Sequence, residues 1–523
     1  MFRAVSTSTI ALTLGATAAF ADVTPAEVWD NMRSGYEDMG YAVEVGSRDA
    51  ADDRLSLTDI TVTSQQGENG SFRLQIPTLV MEQAGPDVRS TFGGPMDIAV
   101  RNTVEVPAEP NTDPADAPET DTPETEEIGF DATIEAPDNQ MISSGSPEDV
   151  KHDISMPRVV IEGKPIDDQG QGSLQAVLTG LESSQRTRQL DNGGTEHEFD
   201  GSATELSLTM EARGPARQGG EDAPDESFDA TLTIADLGFE GEGAQPDGAT
   251  SFETDPAAAL EAGFNLDALI RAGAIDLAFG GRASDDMGQP VATDGTMTAT
   301  GGEMTVDMSN EGFGYGGFLE GAQYSMTSDE LPFPIAYGTE RSDFTVRLPV
   351  AAEETPQPFA LKLGIAGLTL SDEIWQGIDP QNTLSREPAD LTVDLDGEAR
   401  VTRHLMSPAT GSDPAQPPLV PTTLNIKQVA LDAIGASVDI AGQLEFGDDP
   451  REPVGQLQGS FTGVNGLMDN LVAMGLLPQE QVMGARMMLA MFARPVEGEP
   501  DTLETQLKFT EGGSIFANGQ QVK

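Results

Sequence analysis

The chain contains no cysteine among its 523 residues. This absence excludes disulfide bonds, thiol nucleophiles, cysteine-ligated metals and a lipid-modified amino-terminal cysteine. The fold must therefore be stabilised by its apolar core, which a chain of this length can make large. We expect one elongated region over residues 22–523 rather than several separate domains.

Basic residues are scarce: 28 lysines and arginines stand against 88 acidic residues, a formal charge of −60. Such a charge repels nucleic acids and anionic membrane surfaces, so neither is an expected partner. The acidic excess has two explanations, solubility and the binding of divalent cations. We favour solubility, because no loop with the alternating acidic pattern of a calcium site is present.

Long apolar runs are absent beyond the amino terminus. Arg3, the diluted apolar stretch from Ala4 to Ala18 and the small residues around Phe20 form the pattern of a signal peptide over residues 1–21, cleaved after Ala21. The stretch is too short and too rich in hydroxyl groups for a membrane span, which needs about 20 apolar residues. The sequence therefore predicts an exported protein, periplasmic or secreted, with no integral membrane segment after cleavage.

Catalytic motifs are also missing. His152, His197 and His404 are scattered without the spacing of zinc ligands, and the sequence has neither a serine nucleophile elbow nor a Ser-x-x-Lys pair. The stretch from Gly312 to Gly317, "GFGYGG", fits a dinucleotide-binding pattern, but a strand-like "FLEGAQYSM" follows it instead of a helix. We therefore predict no catalytic residue, cofactor or metal, and treat an enzyme, such as a hydrolase, as the weakest hypothesis.

Apolar residues alternate with polar ones through most of the chain. Phe228, Ala230, Leu232 and Ile234 form one such run, and "TLNIKQVALDAIGASVDIAGQLEF" contains several more. Period-two alternation is typical of antiparallel strands with one dry face. The prediction is a mainly β fold with three to five short helices, an elongated, curved antiparallel sheet folded as an open barrel or sandwich. Asp396-Gly397 indicates a hairpin turn.

Helices are predicted over residues 25–39, 256–272, 464–474 and 479–492. The first begins with a capping box, Thr24 to Glu27, and Pro25 at its first position. Gly263 and Gly463 each begin a similar stretch, Gly-x-Asn before an amphipathic run. This similarity indicates two related halves of the sheet, or a chance likeness between amphipathic segments; both explanations stay open.

Six methionines lie between Met468 and Met491, within the last two predicted helices. The second of these helices is apolar on nearly all sides, which favours burial in the core. The alternative is a surface that lines the site of an apolar ligand. Its residues would be Met483, Met487, Met491 and Phe492.

Three segments have the composition of loops. Residues 106–127 contain eight acids, five prolines and no base, and are predicted to be disordered. Residues 213–227 and 406–421 are milder versions, predicted to be flexible. Each lies between runs typical of strands, so we interpret them as long loops within one architecture.

The chain resembles a family of exported bacterial proteins known as domain of unknown function 2125. The resemblance rests on "FADVTPAEVWDNM", on the strand-rich middle and on "GLMDNLVAMGLLPQEQ" with "LETQLKFTEGGSIFANGQQV" near the end. It implies an exported β protein and supplies no catalytic residue.

Two functional hypotheses remain beside the enzyme. The first is an envelope protein that binds or carries lipid or another apolar molecule in a groove of the sheet. The alternative is a structural protein that contacts other envelope proteins and binds no small ligand. An open apolar sheet face favours the first, and a closed sandwich favours the second.

Overall fold

The computed structural model describes residues 23–38, 40–66, 70–105, 125–166, 171–215, 225–248, 252, 255–285, 288–407, 417–447, 449–499 and 501–523. The predicted signal peptide and residues 106–124, 216–224 and 408–416 of the three predicted loops lie outside these residues. Strands extend into all three predicted loops, because residues 125–127, 213–214, 226–227 and 419–421 all pair in the sheet.

The described chain is mostly antiparallel β structure, with 66% strand and 12% helix, as predicted. Its helices are α1 Pro25–Asp38, α2 Pro256–Ala262, α3 Asp372–Ile378, α4 Val464–Ala473 and α5 Gln479–Phe492. The capping box of α1 is formed, since Thr24 N donates to Glu27 Oε2 and Glu27 N donates to Thr24 Oγ1.

Twenty-six strands of the described residues form one sheet. Those of the first half are β1 Ala42–Ala51, β2 Arg54–Gln66, β3 Gly70–Ala84, β4 Asp87–Gly93, β5 Met96–Glu105, β6 Thr125–Glu135, β7 Gln140–Ser146, β8 Asp149–Ile166, β9 Gln171–Gln189, β10 Thr195–Gly214, β11 Glu226–Gln245, β12 Asn265–Ala272 and β13 Ile275–Ser284. Those of the second half are β14 Pro290–Ala299, β15 Gly301–Met308, β16 Phe313–Ser328, β17 Ile335–Leu348, β18 Glu353–Leu370, β19 Ala389–Val401, β20 Leu419–Ala433, β21 Ala436–Glu445, β22 Val454–Thr462, β23 Arg494–Pro495, β24 Thr502–Thr510, β25 Ser514–Ala517 and β26 Gln520–Gln521.

The strands follow one another as a long meander. β8 pairs with β9, β9 with β10 and β10 with β11, and each of these strands has 18 to 20 residues. The shorter strands β12 and β13 lie end to end, and both pair with β11. In the same way β14 and β15 lie end to end and pair with β16. Each such couple is one long strand interrupted at its middle.

The interruptions belong to a bend line that crosses the sheet from β2 to β18. The register aligns the following residues along it to within one or two positions: Asp59, Pro77, Gly94, Asp138, Pro157, Gly180, Thr204, Asp236, Gly273, Thr300, Gly321, Glu340 and Gly367. Seven of them have positive φ: Asp59, Gly94, Asp138, Gly180, Asp236, Gly321 and Gly367. Left-handed residues of this kind let a strand bend without losing its partners.

Each strand turns toward its apolar face at this line. On β10, for example, Ala203 before the line is buried, whereas the side chain of Thr204 on the line is exposed. Ala299 and Ala322, which also flank the line on the apolar side, are buried although the helices lie elsewhere. A Cβ on Gly302 would lie 2.9 Å from Leu319 and 3.7 Å from Ile275, which stand on opposite sides of the line. Apolar side chains from the two sides of the bend line therefore lie close to one another along it.

The most deeply buried core lies at the amino-terminal end of the sheet. α1 places Val28 and Trp29 against Leu55, Leu57 and other residues of β2, β3 and β4. Full burial of aliphatic side chains stabilises a fold by about 1.5–3 kcal/mol each. This end of the sheet is therefore closed by a helix.

Three local expectations from the sequence are not met by the structure. The helix predicted over residues 256–272 ends at Ala262. Gly263 has a left-handed backbone, φ 110°, which ends the helix, and Asn265–Ala272 is strand β12. The sequence similarity between the stretches that begin at Gly263 and Gly463 does not extend to their structure, since a strand follows Gly263 and a helix follows Gly463. Asp396-Gly397 lies inside β19 and makes no hairpin; Gly397 sits opposite the ring of Phe359, which occupies the space of a side chain there.

Candidate functional site: an apolar groove

The inner face of the bent sheet carries continuous rows of uncharged residues. Residues paired directly across antiparallel strands share a face. One row on one side of the bend line, the first wall, is Phe199, Gly241, Ala268, Val306, Tyr315, Val346, Leu361, Leu395, Ile426, Gly442, Leu457 and Leu507. A row on the other side, the second wall, is Ile161, Ala176, Leu208, Leu232, Leu277, Met297, Tyr324 and Tyr337. We call the space between these walls the apolar groove.

The apolar groove is open along its middle. The large hydrophobic strand residues that are exposed in the described chain all lie on its face, with exposures between 38% and 49%. They are Ile128, Met210, Phe228, Ile270, Met304, Tyr337, Leu361, Leu363 and Leu431. An exposed apolar surface of this extent marks a binding site rather than ordinary surface variation. A concavity of about 660 Å³ lies at the free end of the second wall, and its lining combines apolar residues such as Pro165 and Phe228 with charged ones such as Arg213 and Arg282.

Phenylalanine rings on the groove face lie over glycines of the neighbouring strands. Phe239 lies opposite Gly201, Phe199 opposite Gly241 and Phe279 opposite Gly295, and in each pair a Cβ on the glycine would lie 2.5 Å or less from the ring. The ring therefore lies flat over the neighbouring strand. The pattern keeps the groove face smooth and apolar.

Helices cover only parts of this face. α1 covers β1 to β3, and α5 lies over β24, where Thr505 and Asn518 both donate to the Phe492 carbonyl oxygen. α3 follows β18, where the second wall ends, and contacts β17 with Trp375 buried, and the short α2 connects β11 to β12. The exposed apolar side chains from Met210 to Leu431 show that much of the face between β10 and β20 is left accessible.

The methionines of α5 do not form a core, contrary to the sequence prediction. Met483, Met487, Met488 and Met491 are between 56% and 64% exposed, and only Val482 of this helix is fully buried. α5 packs one side on β24 and α4 and presents the methionines outward, because the sheet ends there and offers no second layer. Of the four residues predicted to line a ligand site, the methionines therefore share an exposed helix side, and Phe492 is half-buried beside β24.

The outer face of the sheet is polar and charged. Arg271 bridges Glu240 and Glu303 on the two neighbouring strands, and Arg341 pairs with Glu320 on the neighbouring strand and with Asp343 on its own. Lys427, hydrogen-bonded to Asp396, holds the pKa of that carboxyl below its ordinary value. Exposed pairs of this kind contribute little to stability, about 0–1 kcal/mol each, but keep the outer face soluble.

A small set of uncharged polar residues interrupts the apolar face on the first wall. We call Ser143, His152, Ser183, Gln185 and Thr187 the polar cluster; they lie on neighbouring positions of β7, β8 and β9. Ser143 Oγ is hydrogen-bonded to His152 Nδ1 at 2.8 Å, and both residues are buried. Burial lowers the pKa of His152, with the nearby Asp153 opposing this shift. The Ser183 hydroxyl is buried without a hydrogen-bond partner among the described residues.

The histidines considered for catalysis lie in two places. His152 and His197 lie on the apolar face of β8 and β10. His152 belongs to the polar cluster and His197 adjoins it, since His197 Nδ1 is hydrogen-bonded to Thr187 Oγ1 at 3.2 Å, whereas His404 is buried beyond β19. Residues 313–317 of the glycine-rich stretch run straight into β16, without a following helix. Within the described ranges, no group of three or more His, Asp or Glu side chains could hold a metal ion. None of the helices in that part of the chain is long and apolar enough to cross a membrane.

Comparison with known protein families adds to this geometry. Residues 318–516 match the model of a family described as uncharacterized protein conserved in bacteria (DUF2125). The match confirms the predicted resemblance over the stretch from β16 to β25, which includes α3, α4 and α5. No curated protein and no solved structure matches the chain.

Proposed function

We propose that this protein is an exported, non-enzymatic envelope protein that binds or carries lipid, or another long apolar molecule, in the apolar groove. The observation that carries the proposal is the open apolar face, which runs through successive strands and keeps large apolar side chains from Met210 to Leu431 exposed. Burying apolar ligand surface against such a face contributes about 25 cal/mol per Å². An acyl chain that lies along the groove would gain this binding free energy without any specific polar contact.

The structural alternative receives less support. A closed sandwich would bury the large apolar side chains of this face, whereas those of the strands, such as Ile270, Met304 and Leu431, are 45% to 49% exposed. The exposed methionines of α5 are the feature that a protein partner would use. They lie at one end of the sheet, however, and leave the apolar groove unexplained.

Purification without detergent followed by mass spectrometry of extracted lipids tests the proposal. We expect co-purified lipid, or uptake of an uncharged apolar dye, N-phenyl-1-naphthylamine, with a rise in its fluorescence. A lipid-free preparation that also fails to take up the dye would show that the groove binds no apolar ligand.

Two neighbouring substitutions on β11 separate the groove from the rest of the sheet. Leu232 belongs to the second wall, whereas Thr233 points to the outer face. A carboxylate in an apolar site is strongly unfavourable beside an acyl chain. We expect Leu232→Glu to reduce dye binding by about tenfold or more and Thr233→Glu to leave it unchanged, with both variants retaining the β circular dichroism of the parent.

A further inference from the structure

The polar cluster lies where an amphiphile in the apolar groove would place its polar part. It forms a patch bounded by Val150, Ile154 and Phe199 on the same face. Burial decreases across it, from Ser143 and His152, which are buried, to Gln185, which is exposed. A ligand lying in the open groove can therefore reach its outer members.

The cluster has hydrogen-bonding capacity left over. The Ser183 hydroxyl lacks a partner, although a buried hydroxyl without one costs free energy that a native fold rarely leaves uncompensated. Gln185, exposed on the same strand two residues away, can offer both an amide donor and a carbonyl acceptor. Gln185 therefore presents a donor and an acceptor to the groove, and the unpaired Ser183 hydroxyl is buried beneath the groove surface on the same strand.

The cluster is also uncharged. It contains no lysine, arginine or carboxylate, and buried His152 favours its neutral form because burial lowers its pKa. The whole chain carries a formal charge of −60, which repels anions approaching the groove. An anionic head group would therefore find no counter-charge in this patch.

We infer that the polar cluster is a subsite for an uncharged head group bearing hydroxyl or ester oxygens, as in a monoacyl- or diacylglycerol, whose acyl chain lies in the apolar groove. The inference rests on the proposed function. Gln185 binds the head group at the groove surface, and the Ser183 hydroxyl reaches it when its side chain rotates toward the groove. The buried Ser143–His152 pair positions both residues by fixing the neighbouring strand. Lipids with anionic head groups bind in the same groove more weakly.

The test compares three probes on the full chain: 1-monooleoylglycerol, oleate and N-phenyl-1-naphthylamine. The variant Ser183→Ala/Gln185→Leu removes the outer polar groups, and Ser184→Ala, on the outer face of the same strand, is the matched control. We expect the parent protein to bind monooleoylglycerol about tenfold more tightly than oleate, since each head-group hydrogen bond contributes about a few-fold in affinity. The double variant should lose that preference and keep its affinity for oleate and the dye.

Each outcome is decisive. A double variant that still prefers monooleoylglycerol, or a parent protein that prefers oleate, overturns the head-group subsite while leaving the apolar groove intact as a binding site. Failure of the parent protein to bind any of the three probes, the dye included, removes the proposed function and the subsite together. Loss of monooleoylglycerol preference in Ser184→Ala as well would assign the effect to the strand rather than to the cluster.

Discussion

Single residues with left-handed backbone make the bend on which the groove depends. Gly180 has φ 66° and lies opposite Thr204, whose hydroxyl would be 2.6 Å from an added Cβ. We expect Gly180→Ala to lower the free energy of unfolding by about 1–3 kcal/mol, measured by chemical denaturation. Gly180→Asn should cost less, because asparagine tolerates this conformation and Asp59, Asp138 and Asp236 already adopt it on other strands.

Gly484 in α5 is the control for this prediction. Its Cβ would meet nothing within 4 Å, and its φ is helical. Alanine there should raise the stability by up to about 1 kcal/mol, since glycine is a poor helix former. Equal effects at the two positions would mean that Gly180 is not a bending residue.

The buried His152 makes stability depend on pH. Burial lowers its pKa in the folded state, so the unfolded chain binds the proton more readily. The contribution of neutral His152 to the free energy of unfolding is therefore complete at a pH above its pKa in the unfolded chain, about 6.5. It is lost as the pH falls toward the lower pKa of the folded state. We expect the melting temperature of the parent protein to fall between about pH 7 and about pH 5 more steeply than that of His152→Gln. Parallel curves for the two proteins would exclude His152 as the titrating group.

At the scale of elements, α5 shows how a helix can be apolar and still lie on the surface. Its buried side is represented by Val482, whereas Met483, Met487 and Met491 are exposed. We expect the triple change of these methionines to glutamine to leave the melting temperature within about 1 °C of the parent, because little area leaves the core. Val482→Ala should cost about 1–2 kcal/mol through the cavity that it creates. A large loss of stability in the triple variant would place the methionines in a core.

The elements themselves were largely predictable from the sequence. Alternation identified the strands, and Phe228, Ala230, Leu232 and Ile234 do share the groove face. Capping and helical spacing identified α1, α4 and α5 to within a residue at each end. The failure over residues 256–272 arose because Leu266, Ala268 and Ile270 fit a strand as well as a helix, and left-handed Gly263 decided between them.

The bend line was missed, although it leaves a trace in the sequence. Where a strand crosses it, apolar residues of the groove face are spaced by three rather than two, as in Leu57 to Ile60, Leu178 to Leu181 and Ile234 to Leu237. A single change of spacing in one strand does not identify a bend, because isolated irregularities are common. Only the alignment of such changes across several strands indicates a bend line, and that alignment depends on the long-range pairing of the strands. The groove could be predicted as an apolar face, but its bent shape could not.

At the scale of the whole molecule, bending and charge act together. The bend turns the uncharged rows inward, and the charged residues of neighbouring strands, such as Glu240, Arg271 and Glu303, are left on the outer face. Acids outnumber bases threefold, so most outer carboxylates have no basic partner to neutralise them. The same alternation that produces an apolar interior therefore produces an outer surface of strong negative charge.

This surface predicts how the protein responds to salt. Repulsion among carboxylates on one face destabilises the folded sheet, and salt shortens the screening length from about 14 Å near 0.05 M to about 4 Å near 0.5 M. We expect the melting temperature of the lipid-free protein to rise by several degrees over this range of sodium chloride. Magnesium or calcium chloride at equal ionic strength should give a similar rise, because the described residues contain no group of acidic side chains arranged to hold a metal. A saturable increase at low millimolar calcium, absent with sodium, would instead show that the acidic excess forms a specific cation site.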